Sequence, residues 1–211
     1  MRLPILKRLM DILGAGLLLV VLSPVMLAVA LLIRFSLGSP VLFCQLRPGI
    51  HGKPFVLRKF RTMTDERDAE GNLLPDEQRL TRLGRFLRRT SLDELPELFN
   101  VIKGEMSLVG PRPLLMKYMP FFTERERKRL DMPPGITGLA QVSGRNNVSW
   151  DERLELDAQY VERWTLLLDM RILFLTLIKV LRREGVQELP RSTMLDLDVE
   201  RQRRGGMYAG S

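Results

Sequence analysis

The sequence contains a single cysteine and a single histidine among its 211 residues. With only Cys44, the chain cannot form an internal disulfide, which agrees with a reducing compartment. One chain also cannot assemble a Cys/His zinc site, and any Ser-His-Asp triad would have to use His51. Since His51 stands in the turn-forming stretch between Gly49 and Gly52, we predict a loop residue rather than a catalytic base. Acid, base or nucleophilic chemistry is therefore expected from carboxylates.

Two glycine-rich nucleotide-binding signatures are also missing from the sequence. Neither G-x-x-x-x-G-K-[ST] nor G-x-G-x-x-G occurs, so the standard phosphate-loop and dinucleotide-binding interpretations have no support. Positive charge, in contrast, is in excess: 33 Lys and Arg against 25 Asp and Glu give a formal net charge of +8. This excess indicates an anionic partner, such as a phosphate-rich substrate, a membrane surface or a nucleic acid.

A long apolar run lies near the N-terminus, where no residue from Ile12 to Ile33 is charged. At the helical rise this run makes roughly 33 Å, enough to cross a bilayer core. A cleaved signal peptide and a buried soluble helix are the alternatives, but the run exceeds a usual signal core and little protein is available to surround it. Proline removes a backbone hydrogen bond, so the Ser23–Pro24 pair in mid-run is expected to kink the helix.

The basic residues around this run do not decide its topology. They occur before it, at Lys7 and Arg8, and after it, from Arg34 onward. A kinked span and a segment that dips into the bilayer and returns are both compatible with two basic flanks. The second topology keeps both flanks in the cytoplasm.

Beyond residue 38 the pattern changes to short elements. Residues 41–45 and 53–61 are predicted to be two strands of a hairpin around a Pro/Gly turn. Residues 80–89 form a basic amphipathic helix, which would either lie on anionic headgroups or pack on the core. Residues 166–183 form an apolar helix too short to span a membrane, with the same two alternatives.

Two further segments are predicted to lack regular structure. Residues 133–147 are rich in glycine yet carry polar side chains, which is typical of an ordered functional loop. The residues beyond 185 are polar and are predicted to be a loosely ordered tail. The charged run 124–129 is interpreted as a solvated helix face.

The stretch Arg88–Asn100 contains two adjacent carboxylates, Asp93 and Glu94. Ser91-x-x-Glu94 fits a capping box, in which these residues would have only a structural role. Pro96 has no N–H, however, so the helix is expected to start later, at Asp93, or to bend near its start. In either case carboxylates lie at a positive helix end beside arginines, where an anionic ligand would also bind.

An arginine held between two prolines follows, in Pro111-Arg112-Pro113. The prolines restrict the backbone, so the arginine loses less freedom when it binds a phosphate through paired hydrogen bonds. An ordinary turn with an exposed arginine is the alternative.

Four motifs in a fixed order carry a family resemblance. They are Lys59-Phe60-Arg61-Thr62-Met63, Thr90-Ser91-Leu92-Asp93-Glu94-Leu95-Pro96, Ser107-Leu108-Val109-Gly110-Pro111-Arg112-Pro113 and Pro134-Gly135-Ile136-Thr137-Gly138-Leu139-Ala140-Gln141-Val142-Ser143-Gly144-Arg145-Asn146. Together they resemble the bacterial sugar transferases, or monotopic phosphoglycosyl transferases, over about residues 1–185. The chain is most similar to the small forms, such as the diacetylbacillosamine phosphate transferases of N-glycosylation. Thr62 stands where many relatives have serine.

The resemblance implies transfer of a sugar 1-phosphate from a UDP-sugar to undecaprenyl phosphate, with release of UMP and ping-pong kinetics. It implies a covalent phosphosugar intermediate on Asp93, with Mg²⁺ close to this residue and Glu94 in an assisting or positioning role. The remaining polar candidates are four phosphate-binding cations and one nucleotide contact: Lys59, Arg88, Arg112, Arg145, and Gln141.

The resemblance also implies an α+β, mainly helical fold in three parts. Residues 1–36 form a re-entrant membrane helix broken at Ser23–Pro24. Residues 37–185 form a compact catalytic domain with a small β-hairpin and surface-seated amphipathic helices, and residues 186–211 are a polar tail. The implied location is the bacterial inner membrane, with the catalytic domain on the cytoplasmic face. Membrane lipids, but no nucleic acid, join the two substrates as partners, and homo-oligomerisation is left open.

Two other functions remain as alternatives. A non-catalytic, membrane-anchored basic protein that binds anionic lipid or nucleic acid would explain the charge and the apolar run. It would not explain the arginine motifs framed by proline and glycine, and binding that depends steeply on salt without UMP release would favour it. A hydrolase of polyprenyl-linked phosphates shares the site chemistry and differs in its products.

Overall fold

The computed structural model describes residues 5–143, 149–182 and 195–208, and within them the chain is mainly helical. The described helices are α1 Ile5–Ser36, α2 Asp76–Arg79, α3 Arg82–Arg89, α4 Glu97–Lys103, α5 Glu124–Arg127, α6 Leu139–Ser143, α7 Trp150–Glu162, α8 Leu166–Arg182 and α9 Leu197–Tyr208. The described strands are β1 Leu42–Pro48, β2 Pro54–Phe60, β3 Ser107–Val109 and β4 Gly135–Thr137. They form two separate two-stranded sheets.

Helix α1 is long and apolar enough to cross a membrane, and it continues without interruption through Ser23 and Pro24. The predicted break is therefore absent from the helix. Proline deprives the carbonyl four residues earlier, that of Val20, of its N–H partner. The Ser23 hydroxyl donates to this same carbonyl at 2.8 Å. The serine thus replaces the hydrogen bond that the proline removes, which allows the helix to continue.

One stripe of α1 lies against the rest of the protein along most of the helix. Near the N-terminal end Ala15 is fully buried and belongs to the main core cluster, with Leu19 packed beside it. Near the C-terminal end Val29 and Ile33 are buried in a second cluster with Phe60. The opposite side of α1 is exposed and strongly apolar. Helix α1 therefore has two faces: a buried face along the domain, which we call the seam, and an exposed apolar face.

The N-terminal end of this seam is fixed by a buried ion pair. The Lys7 ammonium donates to the Asp169 carboxylate at 2.6 Å, to the Val109 carbonyl at 2.9 Å and to the Tyr160 hydroxyl at 3.2 Å. Trp164 and Tyr160 donate to the same carboxylate. Both charged side chains are fully buried, so every hydrogen bond in this network replaces one made with water.

Two further charged residues of α1 bond to the domain. Arg8 donates to the Val101 and Ile102 carbonyls at the end of α4, at 2.6 and 2.7 Å. Asp11 accepts from the Ser107 hydroxyl and the Leu108 N–H, both at 2.9 Å. The interpretation of Lys7 and Arg8 as a membrane flank therefore needs correction, because both side chains are used inside the protein.

The predicted hairpin is confirmed. Strands β1 and β2 pair antiparallel, with Leu42 opposite Phe60 and Pro48 opposite Pro54. His51 lies in the connecting turn at a φ of 54°, a left-handed conformation that agrees with a loop role. The pairing places Lys59 next to the end of the hairpin, close to the Leu92–Glu94 turn and to α4.

The second sheet joins two of the sequence motifs. Strand β3 pairs parallel with β4, so the Gly110 and Gly135 backbones lie side by side. A Cβ atom at either glycine would collide with the other's backbone, which explains why both positions need glycine. The expectation that residues 133–147 lack regular structure was thus wrong for its first part, which forms β4 and α6.

Two amphipathic helices take different positions. On α3, Leu87 is fully buried and Leu83 packs in the same cluster, so this helix packs on the core. On α8, one stripe stays exposed at helical spacing: Leu167, Met170, Phe174, Leu177 and Leu181. Its other face packs inward through Asp169 and Ile172. Helix α8 therefore has the form expected of a surface-seated amphipathic helix.

The C-terminal tail also differs from its prediction. Residues 197–208 form α9, and Leu197 at its start is fully buried. A polar composition concealed this element because a single leucine and several ion pairs, rather than an apolar face, attach it.

The buried ion pair generates a stability prediction. Lys7→Met should leave the Asp169 carboxylate buried and uncompensated, which costs about 3–5 kcal/mol. Lys7→Met combined with Asp169→Asn should recover most of the loss, because no buried charge then remains and the amide oxygen still offers an acceptor to Tyr160 and Trp164. Thermal unfolding of detergent-solubilised protein measures both effects. The exposed Lys53→Met is the control and should unfold like the wild type; an equal loss in the single and double variants would contradict the prediction.

Candidate active site

The acidic pair lies in a short turn between two helices rather than inside one. Residues Leu92–Glu94 form a single 3-10 turn, preceded by Ser91 in the left-handed conformation at a φ of 56°. Ser91 makes no side-chain capping bond, so the predicted capping box is absent. Helix α4 begins only at Glu97, with Pro96 at its N-cap. Because Pro96 has no N–H, helix α4 starts after it. Asp93 and Glu94 therefore lie in a separate turn between α3 and α4.

Glu94 is the centre of the polar cluster. Its Oε1 atom accepts from the Lys59 ammonium at 2.6 Å and from the Arg112 guanidinium at 3.0 Å. Strand β2 supplies the lysine and the proline-framed segment after β3 supplies the arginine. Three of the four sequence motifs therefore meet at one carboxylate.

A second carboxylate shares the same lysine. Glu97, in the first turn of α4, lies 3.1 Å from the Lys59 ammonium and is almost fully buried. The sequence analysis missed this residue, since an acidic residue at a helix start is common and has a purely local explanation. Only the fold reveals that it faces Lys59.

Asp93 differs from Glu94 in its contacts. It is 8% exposed, and no hydrogen bond or ion pair to its carboxylate occurs within the described residues. Burial and the adjacent Glu94 charge raise its pKa, while Lys59, Arg88 and Arg112 act in the opposite direction. Asp93 is therefore a nearly buried carboxylate within the field of three cations, with oxygens free to meet a ligand.

The surroundings shift the pKa values of the three carboxylates in different ways. Burial alone would raise the pKa of Glu94, but Lys59 and Arg112 outweigh it and lower the pKa to about 2. Burial raises the pKa of Glu97 to about 7, which Lys59 only partly offsets. Burial opposes the charge of Lys59, yet Glu94 and Glu97 raise the lysine's pKa. At neutral pH the lysine is charged and Glu94 is ionised.

Arg88 reaches the site from the last turn of α3. Its Nε atom donates to the Thr62 hydroxyl at 3.2 Å, so threonine serves where a serine would also offer an oxygen. A side chain at Gly84 would collide with the Thr62 carbonyl, so the glycine lets α3 approach this segment. This contact joins the first motif to the end of α3, which leads into the second motif.

Arg112 is also held from behind by a residue that sequence reasoning missed. Arg129 donates to the Arg112 carbonyl at 2.6 Å and pairs with Asp157 at 2.8 Å, and the side chains of Arg129 and Asp157 are both buried. The run that contains Arg129 was interpreted as a solvated face, and that was wrong for this residue and for Glu126, both of which are buried. The alternating charges of residues 124–129 contain no signal of an inward face.

One predicted contact, Gln141, bonds elsewhere in the domain. Gln141 lies on α6, donates to the Ile136 carbonyl at 2.9 Å, and has its own carbonyl bonded by Lys179. Within the described residues, none of its hydrogen bonds reaches Asp93 or Glu94. Arg145 lies outside the described residues, so its predicted role stays a prediction.

The predicted magnesium ion requires oxygen donors, which carboxylates can supply. No group of three His, Cys, Asp or Glu side chains in the described part of the chain is arranged to hold a metal. Mg²⁺ is often bound by one or two carboxylates together with substrate phosphates, and it keeps several waters. Asp93, a carboxylate without a protein partner among those residues, fits a site that is completed by substrate phosphates and water.

Comparisons with known proteins agree with the motifs. The family model described as "Bacterial sugar transferase" matches residues 3–183. The chain is 57% identical over 184 residues to the uncharacterized sugar transferase EpsL of Bacillus subtilis, covering 87% of this chain and 91% of that protein. It is 41% identical over 197 residues to the undecaprenyl-phosphate galactose phosphotransferase of Salmonella typhimurium, covering 85% of this chain and 41% of the relative.

The name of a further relative gives both a sugar donor and a lipid acceptor. The UDP-glucose:undecaprenyl-phosphate glucose-1-phosphate transferase of Klebsiella pneumoniae is 39% identical over 183 residues, covering 82% of this chain and 39% of the relative. The chain thus spans about two fifths of these longer proteins, whereas it spans nearly all of EpsL.

The raised pKa of Glu97 leads to a pH prediction. The folded state binds this proton more tightly than the unfolded chain does, with a pKa of about 7 against an ordinary value of 4.5. The stability contributed by this proton is present below pH 4.5 and is lost as the pH rises through 7. Glu97→Gln should remove this decline, which amounts to about 3 kcal/mol at most.

Unfolding midpoints between pH 5 and 8 measure the effect, with each variant compared at the same ionic strength. The exposed Glu77→Gln serves as the control and should follow the wild-type curve. Parallel curves for Glu97→Gln and the wild type would show that Glu97 does not titrate in this range.

Proposed function

We propose, from the finding that the chain belongs to the bacterial sugar transferase family, that it transfers a sugar 1-phosphate from a UDP-sugar to undecaprenyl phosphate. The named relatives support the two substrate classes: one is called an undecaprenyl-phosphate galactose phosphotransferase, and another carries both UDP-glucose and undecaprenyl-phosphate in its name. The chain is an enzyme of the phosphoglycosyl transferase class. Its products are UMP and a polyprenyl diphosphosugar.

The observation that carries the mechanism is the contrast between the two adjacent carboxylates. Glu94 is occupied by two cations, whereas the Asp93 carboxylate has no partner within the described residues. An ionised carboxylate can act as a nucleophile and form an acyl phosphate. The geometry therefore favours Asp93 as the attacking group and Glu94 as the residue that positions Lys59 and Arg112.

The reaction then proceeds in two balanced displacements. An Asp93 oxygen forms a bond to the phosphorus nearer the sugar, and the bond from that phosphorus to the UMP oxygen breaks with its electrons. UMP leaves as an anion, so no protein acid is required. An oxygen of undecaprenyl phosphate next attacks the same phosphorus and releases the Asp93 carboxylate. This sequence predicts ping-pong kinetics.

The surrounding residues divide into two kinds of support. Arg112, with a half-exposed side chain, and Arg88 are placed to bind phosphate oxygens beside Asp93. Asp93 and the substrate phosphates would together hold Mg²⁺, which when bound neutralises charge on the diphosphate. Arg145 and Gln141 remain candidates on the strength of their motif alone.

The seam along α1 supports a monotopic position in the membrane. Contacts with the domain occur at Lys7 and again at Ile33, about 39 Å apart along the helix. A helix that crossed the bilayer would carry the attached domain, including Arg88 beside buried Leu87, into the hydrocarbon. Charged groups are costly there. A shallow position, with both ends of α1 and the attached domain on the cytoplasmic face, avoids this cost.

Helix α8 supports the same position. Its exposed apolar stripe, which includes Leu167, Phe174 and Leu181, lies on a helix whose other face packs on the domain. Such a helix suits the interface between headgroups and acyl chains. Seated in this way, the protein would hold its active site where a lipid phosphate and a soluble nucleotide sugar can both arrive.

Asp93→Asn should abolish the covalent adduct. Incubation of the purified protein with Mg²⁺ and a UDP-sugar radiolabelled in the sugar should label the wild type in the absence of undecaprenyl phosphate. The amide lacks the nucleophilic charge, so label on the variant should fall at least 100-fold. Asp131→Asn removes an exposed carboxylate and is the matched control. The donor is first identified by UMP release from a panel of UDP-sugars; normal labelling of Asp93→Asn would refute the nucleophile assignment.

Both ends of α1 should be accessible from the cytoplasmic side only. Single cysteines replace the exposed Ile5 and Phe35 in a Cys44→Ser background. A membrane-impermeant maleimide should label both positions in inside-out vesicles and neither in intact spheroplasts. The Cys44→Ser protein without added cysteine gives the background. Labelling of position 5 from outside the cell would establish a transmembrane helix and reject the monotopic proposal.

A further inference from the structure

Helix α9 lies outside the region that the family model matches, which ends at residue 183. It is nevertheless attached to the domain through a defined contact. Leu197 is fully buried in a cluster with Tyr118, Phe122 and Trp150. The Trp150 indole N–H donates to the Leu195 carbonyl at 2.8 Å, which fixes the chain just before the helix.

An ion-pair cluster joins the start of α9 to the segment that follows Arg112. The Lys117 ammonium lies 3.0 Å from the Asp196 carboxylate and 2.9 Å from that of Asp198. The hydrogen bonds that the Lys117 ammonium donates to Asp198 and Asp196 raise the pKa of Lys117. Lys117 is in the 3-10 helix Met116–Phe121, which comes directly after the proline-framed motif.

The middle of α9 joins two more elements. Arg201 pairs with Glu126 of α5 at 2.6 Å and with Asp151 of α7 at 2.7 Å. Glu126 also completes a capping box with Thr123, so the arginine attaches to a fixed carboxylate. Asp151 lies in the first turn of α7.

These contacts connect α9 to the two segments that hold Arg112. Lys117 restrains the chain that leaves Arg112. Glu126 lies on the segment that continues into Arg129, whose side chain donates to the Arg112 carbonyl at 2.6 Å. Helix α9 therefore ties together the two segments that hold this arginine in front of Glu94.

The side of the domain on which α9 packs is also informative. Two of the core clusters contain residues of α1, namely Ala15 in one and Val29 and Ile33 in the other. The cluster around Leu197 contains no residue of α1 among those described. Helix α9 is thus built on a part of the domain that does not rest on the membrane helix, where a water-soluble substrate would arrive.

We propose that α9 is a brace that positions Arg112 for the water-soluble nucleotide-sugar donor, with Lys117 and Leu197 as positioning residues. The identity of the donor rests on the proposed function. An arginine binds a phosphate through paired N–H donors in a planar fork, so a displaced guanidinium loses hydrogen bonds to the bound donor. Loosening the brace should accordingly weaken binding of the donor and leave use of the lipid phosphate unchanged.

Lys117→Glu is the sharpest test, because it places a third negative charge beside Asp196 and Asp198. We expect the KM for the UDP-sugar to rise about 10-fold, with kcat and the KM for undecaprenyl phosphate within twofold of the wild type. The triple variant Lys117→Glu, Asp196→Lys, Asp198→Lys should restore the donor KM, since the ion pairs re-form with reversed signs.

Lys128→Glu is the matched control. Lys128 is exposed to almost the same extent, 48% against 46% for Lys117, and it too is paired with a carboxylate, that of Glu162. Among the described residues, no hydrogen bond or ion pair joins Lys128 to α9, so the donor KM of Lys128→Glu should stay at the wild-type value. An unchanged donor KM in Lys117→Glu would overturn the proposal. A parallel loss in both KM values and kcat would also overturn it, since it would indicate general destabilisation.

Hydrogen exchange separates this proposal from the proposed function. In Lys117→Glu the amides of Tyr118 and Phe122, which bond to Leu115 and Met119, should exchange at least 10-fold faster, while the hairpin amides do not change. If the wild type transfers no sugar phosphate from any UDP-sugar, the proposed function fails, and this measurement still decides whether α9 braces the segment. Unchanged exchange would reject the brace irrespective of activity.

Discussion

The geometry of the site depends on the pairing of the Glu94 carboxylate with Lys59 and Arg112. The two cations come from β2 and from the segment after β3, far apart in the sequence, and they meet at one oxygen atom. Burial by itself would favour the neutral carboxyl, but the cations lower its pKa to about 2. Glu94 therefore stays ionised and occupied at neutral pH. Because Glu94 holds the cations in place, Asp93 can lie beside them without being neutralised by direct contact.

A second constraint sets the register of α1 on the domain. Buried ion pairs are weak sources of net stability, because desolvation offsets most of the attraction. The Lys7–Asp169 pair has a clearer effect on geometry: sliding α1 by one residue would leave both charges buried and unpaired. Further along, Arg8 and Asp11 bond to the backbone of α4 and β3. The apolar helix is thereby joined to the same strand that leads into the arginine motif.

The sequence predicts well those features that are determined by residues close together in the chain. The hairpin follows from alternating strands around a Pro/Gly turn, and α4 ends at Gly104 because glycine takes the left-handed conformation there. The motifs predict Lys59, Arg88 and Arg112 at the site, and the structure brings all three near the acidic pair.

Tertiary contacts decide what local chemistry does not. Glu97 and Arg129 resemble ordinary surface charges in the sequence, and only packing against β2 and α7 makes them internal. The Ser23–Pro24 pair predicts a break, but a serine hydroxyl on the Val20 carbonyl keeps the helix intact. Local propensity offers competing outcomes in such cases, and long-range contacts select among them.

The hydrogen bonds further distinguish the roles of the predicted phosphate-binding cations. Lys59 is mostly buried, at 19% exposure, and its ammonium is shared between Glu94 and Glu97. Arg112 is 46% exposed, and within the described residues its guanidinium bonds only to Glu94. A guanidinium has several N–H donors in a planar fork, so most of those on Arg112 remain available to a phosphate. Lys59 is therefore the cation that builds the site, and Arg112 is the one that faces the substrate.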